Sequence, residues 1–193
     1  MYIPEQFEIT DRDEIFSFIE ANAFGQLISN VGGRFFSTHL PFLVSDDRCK
    51  LTCHLARQNG QWQEIDHQEV LVTLQGPHDY ISPSWYLAPG VPTWNYQSVH
   101  LYGISRVFHD PDRIRAIVDR LTEKYESSFE RPWKADYKAS ILKGIVGLEI
   151  EITGIQCKYK LSQNRSIQDQ DQVVKQLKLR GSDQLAKAMK NAG

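Results

Sequence analysis

The chain has 193 residues, 41% of them hydrophobic and 11% aromatic, which suffices for one domain with a proper core. Its 22 Lys and Arg stand against 24 Asp and Glu, so no global charge draws it to a phosphate backbone, and DNA contact would need a local basic patch or a partner. The acidic start, MYIPEQFEITDRDEIF, lacks a signal-peptide pattern and no window approaches the length of a membrane helix, so a soluble cytoplasmic protein without a membrane partner is expected.

After an extended lead-in, Asp11 offers a helix N-cap with Glu14 three residues on, and Ile15, Phe18 and Ile19 form one apolar face, predicting a helix to about Asn22. Phe24 to Ser29 and Arg34 to Val44 read as a hairpin turned at Gly32-Gly33. A third strand is expected from Lys50 to Leu55. Val70 to Gln75 is a continuous apolar run that predicts a strand buried on both faces. From His78 to Gly103, six large aromatics alternate with Pro83, Pro89 and Pro92. No helix survives those prolines, so a structured loop between strands is expected there.

Val99 to Phe108 then returns as a strand, and Asp110-Pro111 caps a helix bearing Ile114, Ile117, Val118 and Leu121. A short helix is expected around Asp136 to Lys143, followed by strands from Ile145 to Thr153 and Ile155 to Leu161, with Gly154 as the turn. The polar tail carries Val173, Val174 and Leu177 on one helical face and breaks at Gly181-Ser182-Asp183 before a last short helix. Strands without regular helix alternation point to a mainly β, α+β protein, a split antiparallel barrel with peripheral helices. The expected division is one domain, 1–165, with a helical C-terminal appendage, 166–193.

Three groups of residues could carry chemistry. In the aromatic stretch, His78, Ser82, Ser84, Thr93, Asn95 and His100 lie among the rings, a mixture that suits a flat heteroaromatic ligand. The alternative is an aromatic loop that covers the end of a core. Ser37-Thr38-His39 and His54-Leu55-Ala56-Arg57-Gln58-Asn59 bring hydroxyls, imidazoles and a guanidinium on strands that could be adjacent, the donors a phosphate monoester needs. Against that, Arg57 could simply pair with Glu64 or Asp66 at the surface. Finally, Lys158 and Lys160 share one face of a strand that runs into Gln163, Asn164 and Arg165, either an anion-holding face or a solvated basic edge. No Walker loop or G-x-G-x-x-G follows a strand, and no nucleophile elbow is present, so no catalytic residue is named. Cys49, Cys53 and Cys157 lack the second ligand pair of a metal site and read as buried, inert thiols on strands.

STHLPFL (37–43), HLARQN (54–59), GPHDYISPSWY (76–86), VPTWNYQSVHLYG (91–103), LKGIVGLEIEI (142–152) and KYKLSQNRS (158–166), in that order, resemble the PaiB-type family of FMN-binding negative transcriptional regulators. The resemblance implies a flavin-binding split barrel, a homodimer, and FMN in a cleft between subunits. It implies that Ser37 or Thr38, His54 and Arg57 meet the phosphate. The isoalloxazine is then expected near His39, with Trp85, Trp94, Asn95 and Tyr96 as neighbours, and Lys160, Gln163 and Asn164 reaching it from the partner subunit. Two functions remain open: a regulatory module that senses flavin or redox state and acts on transcription through a partner or DNA, and a flavin-dependent oxidoreductase or reductase acting on a small molecule. A dimer that has lost its cofactor is a third. The tail lysines Lys175, Lys178, Lys187 and Lys190 with Arg180 form only a modest basic cluster, which also fits a solvated amphipathic helix.

Overall fold

A computed structural model describes residues 1–135 and 138–191. Among them the chain forms a seven-stranded sheet in the order β2-β1-β5-β6-β7-β4-β3, not closed on itself, with helices on its periphery. The expected fold class holds. Helix α1 (Arg12–Ala21) starts where Glu14 N–H donates to Asp11 Oδ1 at 2.8 Å. Strands β1 (Phe24–Val31) and β2 (Arg34–Pro41) pair antiparallel from Phe24↔Pro41 to Val31↔Arg34. Gly32 and Gly33 both take positive φ, which two-residue hairpins of this hand require.

Strand β3 is only Leu43–Val44, because Phe42 leaves the sheet to enter the core and its N–H bonds Ala23 O instead. The single strand expected to Val44 is therefore two. Strand β4 (Lys50–Ala56) pairs with β7 from Lys50↔Glu151 to Ala56↔Ile145. Strand β5 (Glu69–Ile81) alternates: Val70, Val72 and Leu74 are buried, whereas Leu71 and Thr73 are only half-buried. One face of that run is thus better covered than the other. Strand β6 (Thr93–Phe108) begins inside the ring-rich stretch, so the loop expected from His78 to Gly103 shrinks to residues 82–92. Period-2 burial from Asn95 to Ser105 carries the strand through that stretch despite its composition.

Helix α2 (Pro111–Glu126) is capped by Asp110, whose side chain accepts from Arg113 N, and Ile117 and Leu121 pack with Leu43 and Phe108. Helix α3 (Ala139–Leu142) is a single turn; Asp136, where it was expected to begin, lies outside the described residues. Strand β7 (Ile145–Lys160) then runs unbroken, and Gly154 keeps it extended rather than turning it. Helices α4 (Ile167–Leu179) and α5 (Asp183–Asn191) flank the break at Gly181, which has φ +79°.

The chain forms two compact units, each drawn from separated stretches of sequence. Met1–Phe18, Gln75–His100 and Gln156–Gly193 make one; Ile19–Leu74 and Leu101–Ile155 make the other. The helices expected as an appendage share a unit with the aromatic loop. In the second unit the interior is built by Leu27, Leu51, Cys53, Leu55, Val146, Leu148 and Ile150, all fully buried. Each such aliphatic side chain contributes about 1.5–3 kcal/mol on burial. Among the described residues no helix is long and apolar enough to cross a membrane.

Candidate functional site

The segments 37–39 and 54–59 lie on strands far apart in the sheet order, yet the structure joins them. Edge strand β2 curls back against β4, and the turn after β4 reaches it directly: Asn59 Nδ2 donates to Thr38 Oγ1 at 2.9 Å. Thr38 in turn donates to Gln61 Oε1 at 2.6 Å. Gln61, 0% exposed, completes its amide by donating to Ser29 Oγ at 2.8 Å and Leu27 O at 3.3 Å. Asn59 also stiffens the turn, its Oδ1 accepting from Gln61 N.

The alternation of β2 decides what remains available. Thr38 points inward with Leu27, its register partner, and its one hydroxyl proton is committed to Gln61. Ser37 and His39 point outward and are exposed. The Ser37 hydroxyl donates to Gln26 Oε1 at 3.1 Å, a surface bond that exchanges readily with water or an anion. The His39 ring stacks on Phe24 with centroids 6.2 Å apart.

On β4, His54 is half-buried and faces Gly147 across the register. Only glycine fits there, because a Cβ would lie 2.2 Å from the Phe108 ring. Burial pushes the His54 pKa below its ordinary value, so the imidazole is neutral at pH 7. Its Nδ1 is buried without a hydrogen-bond partner. Arg57 pairs with neither Glu64 nor Asp66. Its Nε donates to Lys143 O at 2.6 Å and its Nη2 to Ile145 O at 3.1 Å, tying the β4 turn to the start of β7. The acids are engaged elsewhere, Glu64 by Gly32 N and Asp66 by Val107 N. Two bonds leave further guanidinium N–H groups on an exposed side chain.

In the other unit the candidate residues are largely turned to internal work. Trp94 is 53% exposed, with Tyr80 edge-on at 6.2 Å and His78 tilted at 6.4 Å. Lys160 donates to Trp94 O at 2.8 Å and to Thr93 Oγ1; burial first, then Lys158, lower its pKa. Lys158 is no solvated edge. It is buried, donates to Tyr2 O at 3.0 Å, and lies 5.6 and 5.4 Å from the ring centroids of Tyr2 and Tyr96. A long aliphatic stem can be buried while a carbonyl and two π faces satisfy the ammonium.

Gln163 braces the turn after β7, accepting from Leu161 N and donating to Tyr159 O, both at 2.7 Å. That turn holds Ser162 at φ +69°, a conformation L-residues adopt at a cost. Asn95, fully buried, donates to Ser162 Oγ at 2.9 Å and to Met189 Sδ at 3.4 Å, while its Oδ1 has no partner. Trp85 is half-buried beneath the Arg180 guanidinium, and Asn164 is exposed.

Sequence reasoning gave no role to Gln61 or Ser162 and took Asp169 as solvated at a helix start. Each is a polar residue in a loop or helix start, where exposure is the ordinary expectation, and only the tertiary contacts reveal them as buried. The three cysteines divide: Cys53 and Cys157 are buried on strands, but Cys49 lies exposed in the turn before β4.

The donor set suits a flavin nucleotide. Ser37, Arg57 and neutral His54 offer hydroxyl, guanidinium and imidazole groups to a phosphate, and His54 Nδ1 is an unmet polar atom of the kind a bound group satisfies.

A family model described as "Putative FMN-binding domain" matches residues 1–154. "Protease synthase and sporulation protein PAI 2" of Bacillus subtilis is 42% identical, covering 92% of this chain and 89% of that protein. A Saccharomyces cerevisiae protein is 29% identical over 65% of this chain and 90% of its own length. Among solved structures, the FAD and heme binding protein of Mycobacterium smegmatis superposes with a TM-score of 0.64 at 14% identity, covering 79% of this chain and 73% of that one. The flavocytochrome Anf3 of Azotobacter vinelandii gives 0.61 at 16%, covering 79% and 69%. At these identities the structures speak for the fold alone. The sequence matches go further: this chain belongs to the PaiB-type family defined by that FMN-binding domain.

Proposed function

We propose that the protein binds FMN and acts as a homodimeric, flavin-dependent regulatory module of the PaiB type. The observation that carries this reading is the Thr38–Asn59–Gln61 network, which brings two segments with phosphate-binding chemistry into one place and leaves Ser37, His54 and Arg57 with unspent capacity. In this reading Arg57 offers its remaining N–H groups to the phosphate, and Ser37 adds a hydroxyl. His54 takes part as a neutral group, accepting a proton at Nδ1 or donating one according to its tautomer. Bound FMN supplies a centre that accepts and returns hydride or electrons; the protein sets its access and surroundings.

The regulatory half of the proposal rests on the family and on the relative's name. Helices α4 and α5 bury Val173, Val174, Leu177, Leu185 and Met189, so each uses one face for packing, and a partner protein fits an effect on transcription better than a recognition helix does.

Titration of the purified protein with FMN tests the site. A shifted flavin spectrum, quenched fluorescence and saturable binding are expected, weakened about tenfold or more in Arg57→Ala and partly recovered in Arg57→Lys. Thermal unfolding run alongside separates lost phosphate contact from loosening at Lys143 and Ile145. No binding at roughly tens of micromolar FMN overturns the cofactor reading. Oxidation of NADH or NADPH by the loaded protein, with turnover, would replace the regulatory reading with that of an oxidoreductase.

A further inference from the structure

Loop 82–92 carries three prolines and no strand ladder, and within it Ser84, Trp85 and Tyr86 N–H bond back to Ser82 and Pro83 in a 3-10 turn. The acceptor for Leu87 N–H is Asp169 Oδ1 at 2.7 Å, 82 residues away in sequence. The Leu87 side chain is 72% exposed, so this residue is held by its main chain and not by apolar burial. Asp169 is 2% exposed. It occupies the third position of α4, after the N-cap Ser166, whose Oγ accepts from Asp169 N at 3.2 Å. In the usual capping arrangement the side chain at this position turns back to the cap; here it is directed to the loop. The helix N-terminus favours its negative charge, which offsets part of the cost of burying it.

Neighbouring contacts have the same direction. The Arg165 guanidinium lies 4.2 Å from the Tyr86 ring centroid and donates to Pro89 O at 3.3 Å. Gly90 admits this packing, since a Cβ there would meet the Tyr86 ring at 2.4 Å and Arg165 Nη2 at 3.1 Å. Arg180, just past the end of α4, lies 5.5 Å from the centroid of Trp85. Ser182 donates to Asp79 Oδ2 near the end of β5, and Met189 of α5 accepts from Asn95 near the start of β6. Both ends of the loop and its middle are thus held by residues 165–189. The family domain match ends at residue 154, before any of them.

We propose that the α4–α5 pair is a clamp that sets the shape of the aromatic loop, with Asp169 as its latch. An Asn at position 169 keeps an oxygen that can accept from Leu87 N–H, whereas Ala keeps none, so the pair of variants separates the hydrogen bond from mere occupancy.

The test is backbone amide exchange over residues 82–92 in wild-type protein, Asp169→Ala and Asp169→Asn. Asp169→Ala should speed loop exchange by about tenfold, the effect of losing one charge-assisted bond; Asp169→Asn should restore most of the protection. Should Asp169→Ala not fold, Arg180→Ala, at an exposed position, should still speed exchange around Trp85. Unchanged loop exchange in Asp169→Ala, or in Arg180→Ala where that variant stands in, overturns the clamp.

Discussion

The β2–β4 cluster and the aromatic loop both carry the residue types that a nucleotide cofactor needs, and they use them oppositely. Around β2 and β4 a buried amide, Gln61, absorbs the structural demands, and the groups around it keep capacity to spare: Ser37 and His39 at the surface, Arg57 with free N–H groups, His54 with a bare Nδ1. Around the loop the candidate polar groups are mostly consumed in holding the chain, Lys160 at the start of β6, Gln163 in its own turn, Asp169 on Leu87. A site residue with spare bonding capacity is placed to receive a ligand. One whose bonds are spent holds its own stretch of chain in shape.

The strongest way to break this contrast is Gln61→Leu. It strands Thr38 Oγ1, Ser29 Oγ and Leu27 O around an apolar side chain, and a loss of about 3 kcal/mol is expected, read from urea unfolding. A loss under roughly 1 kcal/mol would mean that water replaces the amide and that the network is not structural. Asn95→Ala, the matching change in the other unit, should cost less, about 1 kcal/mol. It removes the bond to Ser162 but also an oxygen that had no partner.

A smaller effect concerns His54. Its folded pKa is depressed below the ordinary 6.5, so the unfolded chain binds the proton more readily. Stability is then fully present above about pH 6.5 and declines as pH falls toward the folded value. His54→Gln should flatten the fall in melting temperature between about pH 6.5 and 5 relative to wild type, and an unaltered slope would place the titration elsewhere. Thiol labelling should leave stability untouched yet mark the cores of both units. Cys49 should react at once at pH 8. Cys157, pushed up to about 12 chiefly by burial, and Cys53, raised further by burial alone, should react only as the protein unfolds.

Much of the site's chemistry is legible in local sequence. The segments 37–39 and 54–59 declare phosphate-binding groups by type, and the ring-rich stretch declares itself by composition. The extent of that stretch was misread because prolines and aromatics resemble loop, while alternate burial from Asn95 to Ser105 depends on what lies on either face. Gly154 was read as a turn for a similar reason. Glycine permits a turn but does not compel one, and β7 stays extended through it.

Caps, periodicity and turn glycines by themselves determined the starts of α1 and α2, the β1–β2 hairpin, the break at Gly181 and the antiparallel β class, because those signals act over a few residues. Tertiary structure alone decided that Thr38 would spend its proton on Gln61, that Lys158 would be buried between two tyrosines, and that Asp169 would hold Leu87. Each of those outcomes joins partners separated by 23 to 156 residues. A polar side chain carries no local mark of the distant partner that will satisfy it.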